Sequence, residues 1–153
     1  MKPGEAERAV QVAAKIAGSP GGVLILVDAD DDCPAGVGPN LLERAPMAAR
    51  GVPVATSLAC REYESWFLAA ADCFRGFRGL PTGLEAPENS EKIRGAKEWL
   101  RKKAGAGASY RPGVDQLQFT RRLDLDLARR SRSFRRFERE LLRLLKRLEP
   151  ISV

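Results

Sequence analysis

Small apolar side chains recur at Ala6, Ala9, Val10, Ala13, Ile16 and Ala17, a helical spacing that predicts an amphipathic helix over residues 4–17, ended by Gly18, Ser19 and Pro20. Val23 to Val27 is then an unbroken apolar run closing on Asp28, the pattern of a parallel strand covered on both faces. A Pro/Gly-rich loop leads to Asn40, which can cap a helix over Leu41 to Arg50. Val52 to Ala59 reads as a second strand and Glu62 to Asp72 as another helix, so the order predicts an α/β unit with a right-handed crossover. Residues 73–90 hold Gly and Pro without a period and predict a loop, and Glu91 to Lys103 predicts a basic helix. Ala104 to Gly113 reads as loop, Leu117 and Phe119 as a short extended stretch, and Leu123 to Arg130 as helical. Ser133 is the expected cap of a last helix whose Phe134, Phe137, Leu141, Leu144, Leu145 and Leu148 share one stripe.

A chain of 153 residues suits a single domain, 1–153, and no apolar run approaches the roughly 20 residues of a bilayer crossing, so no membrane partner is expected. Within that domain the charge is uneven. Residues 1–90 hold 8 Lys/Arg against 12 Asp/Glu, whereas 91–153 hold 18 against 8. The first portion thus suits cations, and the second, mostly helical and basic, suits a polyanion such as nucleic acid. Histidine is absent, which removes imidazole bases, Ser-His-Asp and Cys-His chemistry and His-ligated zinc. Cys33, Cys60 and Cys73 form no C-x-x-C pair and leave an odd thiol, which points to a reducing cytoplasm. Residues 1–10 have no apolar segment of the signal-peptide kind.

The chemistry concentrates in two places. Asp28, Asp30, Asp31 and Asp32 follow the first predicted strand, and the carboxyl ends of strands are where open α/β sheets bind ligands. So many carboxylates repel one another unless a cation neutralises them, and magnesium, or manganese in its place, takes one or two hard oxygens while keeping waters for a phosphate to displace. An EF-hand counted from Asp28 fails, with Cys33 where glycine and Pro39 where glutamate are required. A glycosyltransferase D-x-D lacks its upstream nucleotide-binding half, and a haloacid-dehalogenase-type phosphatase lacks the hydroxyl or valine expected after the aspartates. A Toprim metal site remains. The second place is Arg61-Glu62-Tyr63-Glu64-Ser65-Trp66-Phe67-Leu68, directly after the second strand, where Glu62 or Glu64 is expected on the same sheet edge as Asp28 and Asp30. Trp66, Phe67 and Ala70 are read as core, and Tyr63 and Tyr110 as hydrogen-bonded packing residues.

V-D-A-D-D-D at Val27 to Asp32 together with E-Y-E-S-W-F-L at Glu62 to Leu68 resembles the Toprim-like domain of unknown function numbered 4276, and Lys97, Tyr110, Asp115-Gln116 and Ser133-Phe134 are similar to that family's downstream motifs. The resemblance spans about residues 22–148. It implies a small Toprim-like, Rossmann-like α/β fold, a parallel sheet flanked by helices, with a basic helical C-terminal extension. Relatives of the overcoming-lysogenisation-defect type imply metal-dependent cleavage of nucleic acid, and the family implies bacterial defence alongside an AAA-type ATPase. Carried onto this chain, magnesium falls on Asp28, Asp30 and Asp32, with Glu64, less directly Glu62, and Lys97 as catalytic residues. Toprim domains carry a further glutamate after an earlier strand; Glu5 and Glu7 sit on the first predicted helix and are poor substitutes. That difference supports a second expectation, a catalytically silent module binding nucleic acid or an ATPase. The last predicted helix supplies its surface: Arg135, Arg139, Arg143 and Arg147 repeat every four residues, a ladder of like charges that a phosphate backbone would offset. Either function leaves room for a homo-oligomer.

Overall fold

A computed structural model describes residues 4–30, 44–105 and 107–148. The molecule is mixed α/β, and the described residues form two compact units, Met1–Leu58 with Arg136–Val153, and Ala59–Arg135. No described helix is long and apolar enough to cross a membrane.

In the first unit α1 (Glu5–Ala17) is released at Gly18. β1 (Val23–Asp28), the helical residues 44–48 (α2) and β2 (Val54–Ala59) follow. Asn40, proposed as the cap of α2, lies outside the described residues, as do Asp31, Asp32 and Cys33. β1 and β2 pair in parallel, and the Val23 N–H donates to the Pro53 carbonyl at 2.8 Å. Both strands therefore end on one edge. Val10, Ala14, Val23, Ala45 and Ala49 form the buried core, the alanines keeping the helix contacts close. Leu24 to Val27 are only half-buried, whereas Ala55 to Ala59 of β2 are buried. Leu144 of α7 (Arg132–Leu148) and Leu148 pack on Gly22, where an added Cβ would come within 3.1 Å of Leu144 Cδ1 and 3.2 Å of Leu148 Cδ1.

The second unit is built on an aromatic core. Phe67 on α3 (Ser65–Ala69), Phe74, Phe119 on α5 (Pro112–Arg122) and Tyr110 meet ring to ring at 4.7–5.8 Å, largely edge-on or tilted, as ring quadrupoles prefer. Leu100 on α4 (Ala96–Lys103) and Leu84 complete it.

Several elements differ from their sequence expectation. The helix expected over 62–72 shrinks to α3 and a 3-10 turn at Ala71–Phe74, because every residue of α3 is buried and packing, rather than an amphipathic period, sets the chain path. The helix expected from Glu91 begins at Ala96, since Gly95 takes a left-handed conformation (φ 70). Leu117 and Phe119 are helical, not extended: Pro112 opens α5, and the Asp115 carboxylate reaches back to the Arg111 N–H at 2.7 Å. α6 (Leu125–Ala128) starts from Asp124, whose side chain accepts the Leu127 N–H. On α7 the cap is Ser131, whose hydroxyl accepts the Phe134 N–H at 3.1 Å, and Leu145 is exposed rather than on the buried stripe.

Candidate functional site

Both strands leave the sheet through a non-glycine residue in the left-handed region, Asp30 (φ 48) after β1 and Arg61 (φ 61) after β2. Asp tolerates this conformation better than Arg, whose strain is of order 1 kcal/mol. The Glu62 N–H donates to the Cys60 carbonyl at 2.9 Å across the second turn, which fixes where Glu62 emerges.

From that turn a polar network runs through the second unit. Glu62 Oε2 accepts the Ala96 N–H at 2.6 Å and Oε1 accepts from Lys97 Nζ at 2.8 Å. A carboxylate 34 residues away in sequence thus caps α4 and seats its lysine. Glu64 is fully buried. Its Oε1 accepts from the Tyr110 hydroxyl at 2.9 Å and from Gln116 Nε2 at 3.3 Å. Its Oε2 lies 3.5 Å from Lys97 Nζ and has no hydrogen-bond donor among the described residues. Lys97, about a quarter exposed, is therefore shared by two carboxylates.

Burial by itself would raise the Glu62 carboxyl, but the Lys97 ammonium and the Ala96 N–H outweigh it and hold Glu62 below the ordinary carboxylate range. Burial first, and then the charge on Glu64, push the Tyr110 phenol far above its ordinary value, so it stays a donor. Tyr63 packs on Trp66 and Phe67 and shares a hydrogen bond with Thr120 at 3.0 Å.

A second network holds the first turn of α7. Glu91 Oε1 accepts the Ser133 N–H at 2.6 Å and the Ser131 hydroxyl at 2.7 Å, and Trp66 Nε1 donates to Ser133 Oγ at 2.9 Å. Burial opposes the ionised form of Glu91, yet these donors keep its carboxyl below the usual range. Buried Asp115 pairs with Arg78 at 2.6 Å. Cys60 and Cys73 are both pushed up by burial, which makes neither a ready thiolate.

Of the residues singled out in sequence, Glu62, Glu64, Lys97, Tyr110 and Gln116 are brought together. Asp28 closes β1, and Asp30 is exposed two residues later, in the other unit. Asp32 lies outside the described residues. Among the described residues no group of three or more Cys, Asp and Glu side chains is gathered as metal ligands. The donor set decides how far the implied magnesium fits. Two hard carboxylates at Asp28 and Asp30 suit an ion that takes one or two. Tyr110 and Gln116 occupy Glu64 Oε1, whereas Glu64 Oε2 has no hydrogen-bond donor among the described residues and lies 3.5 Å from the Lys97 ammonium. Glu91, Ser131 and Arg78 were not singled out in sequence. Their pairings span 37–42 positions, and no local pattern signals them.

The arginine ladder lies on the exposed face of α7: Arg135, Arg139, Arg143 and Arg147 all face solvent while Phe134 and Leu144 are buried. Arg135 donates to the carbonyls of Arg129 and Arg130 at the end of α6, and Arg143 donates to Glu140 at 2.8 Å. Comparison with protein-family models, curated proteins and solved structures finds no match to this chain.

Proposed function

We propose that the chain is a metal-dependent nucleic-acid phosphodiesterase of the Toprim type. The supporting observation is that residues of four separate short motifs, Glu62 with Glu64, Lys97, Tyr110 and Gln116, meet in one network of hydrogen bonds joined by the Lys97–Glu64 ion pair. Asp28 and Asp30 would hold magnesium or manganese, which supplies charge on a phosphoryl oxygen and a bound water of lowered pKa. Glu62 and Glu64 fix the Lys97 ammonium, and Lys97 offsets negative charge developing on the phosphate. Tyr110 and Gln116 fix Glu64 and exclude water from it. Work beside an AAA-type ATPase in bacterial defence is part of the same proposal and rests on the resemblance alone.

The test is cleavage of single-stranded and duplex DNA and RNA with magnesium or manganese. Cleavage is expected from the parent, lost in Asp28→Asn/Asp30→Asn, and reduced about a hundredfold in Lys97→Met, the scale of removing one stabilising donor. Either metal should raise the melting temperature of the parent and barely that of the double aspartate variant, since an ion bound only to the native state stabilises it. A parent that neither cleaves nor shifts overturns the proposal.

The second reading is a catalytically silent module that binds nucleic acid or an ATPase. The pairing of Lys97 with Glu62 and Glu64 favours it, because an ammonium already held by carboxylates is less available to a phosphate. A parent that binds nucleic acid but never cuts it selects this reading.

A further inference from the structure

At the amino end of β2, the end of the strands away from Asp28, a cavity of about 350 Å³ opens between β2 and the last two turns of α7. Val54, Ala55 and Leu144 make its apolar floor. Arg143, Lys146, Arg147 and Glu140 make its polar wall. The wall is unbalanced, three cations against one carboxylate, and Glu140 is spent on orienting Arg143 at 2.8 Å. Lys146 and Arg147 are exposed and have no ionic or hydrogen-bonding partner among the described residues. Arg139 extends the charge one turn along the same exposed face. The eight steps from Arg139 to Arg147 advance about 12 Å at 1.5 Å per residue, which suits a repeating polyanion better than one isolated anion.

The floor narrows the choice of polyanion. A duplex turns sugar and phosphate outward and keeps its bases stacked, whereas an unpaired strand offers a flat apolar base beside each phosphate. Small apolar residues below three cations match that combination. We infer that this groove binds single-stranded nucleic acid, its phosphates on Arg143, Lys146 and Arg147 and an unstacked base over Val54, Ala55 and Leu144. No groove residue is among the proposed catalytic residues, and occupancy of the groove does not depend on cleavage.

The experiment measures fluorescence anisotropy of a labelled 20-nucleotide oligothymidylate in EDTA, at several salt concentrations. Arg143→Gln/Lys146→Gln/Arg147→Gln changes only exposed side chains, and its fold is checked by circular dichroism. The triple variant should bind more weakly at low salt and lose about 2 from the log–log salt slope, at roughly 0.7 per single-strand contact. Lys102→Gln/Lys103→Gln, which removes two charges on α4, should leave the slope unchanged. An abasic strand of equal charge should bind more weakly than the oligothymidylate, because the apolar floor then covers no base. An unchanged slope in the triple variant overturns the groove assignment. Equal affinity for the abasic strand or for a 20-base-pair duplex overturns the base contact, and tighter binding of a polyglutamate peptide than of the oligothymidylate makes the occupant an acidic protein instead.

Discussion

Removing one oxygen from Tyr110 tests the network at its most buried point. The hydroxyl donates to Glu64 Oε1 at 2.9 Å, with Glu64 fully buried and Tyr110 4% exposed, so water cannot replace either partner. Tyr110→Phe keeps the ring on Phe119 and removes only the donor. A hydrogen bond to a charged group is worth about 1.5–3 kcal/mol, and Gln116 at 3.3 Å is too long to recover all of it. The expected loss is about 1.5–3 kcal/mol, near 4–10 °C in melting temperature for a chain of this length. Urea unfolding of Tyr110→Phe, Glu64→Gln and the double variant forms a cycle whose coupling should reach at least about 1 kcal/mol. A single-variant loss below about 0.5 kcal/mol, or coupling indistinguishable from zero, refutes the hydrogen bond and with it the reason for burying Glu64.

Glu62→Gln should destabilise the protein and fray α4, read as faster amide exchange at Ala96 and Lys97, because the Ala96 N–H loses its charged acceptor. Since the Glu62 carboxyl is held below its ordinary value, its contribution is present at neutral pH and lost as the pH falls through the lowered value; the stability gap between parent and Glu62→Gln should therefore close in acid. In a Tyr63→Phe background, Tyr110 should give no phenolate absorbance at 295 nm until the protein unfolds, and its raised value means a contribution kept below pH about 10 and lost in stronger alkali. Gly22→Ala should cost about 1–3 kcal/mol, measured by thermal melting, because the new Cβ meets the methyl groups of Leu144 and Leu148 at 3.1–3.2 Å; an unchanged melting temperature would show that α7 packs elsewhere.

What the sequence determined by itself was local. The small-residue period of 4–17, the apolar run at Val23 to Val27 and the leucine spacing of α7 are each set by neighbours within one or two turns, and they appear as α1, β1 and α7. Exposure of the arginine ladder follows in the same way, since a helix that buries Phe134 and Leu144 must turn Arg139 and Arg143 outward. Pro112 with Asp115 was a readable start for α5 that the alternation of Leu117 and Phe119 obscured. Elsewhere tertiary contacts decided. The Glu64 pattern could not say whether the side chain meets a metal or a tyrosine; Tyr110 and Gln116 reach it from 46 and 52 positions away. Glu62 caps a helix 34 residues downstream, and Glu91 holds the first turn of α7 from 42 residues upstream, which leaves Ser131 as the hydroxyl cap. The groove under Arg143, Lys146 and Arg147 exists only because β2 supplies its floor. A buried carboxylate must find donors or be expelled, and which donors arrive is fixed by how distant segments pack, so the partners of Glu62, Glu64 and Glu91 belong to the tertiary structure alone.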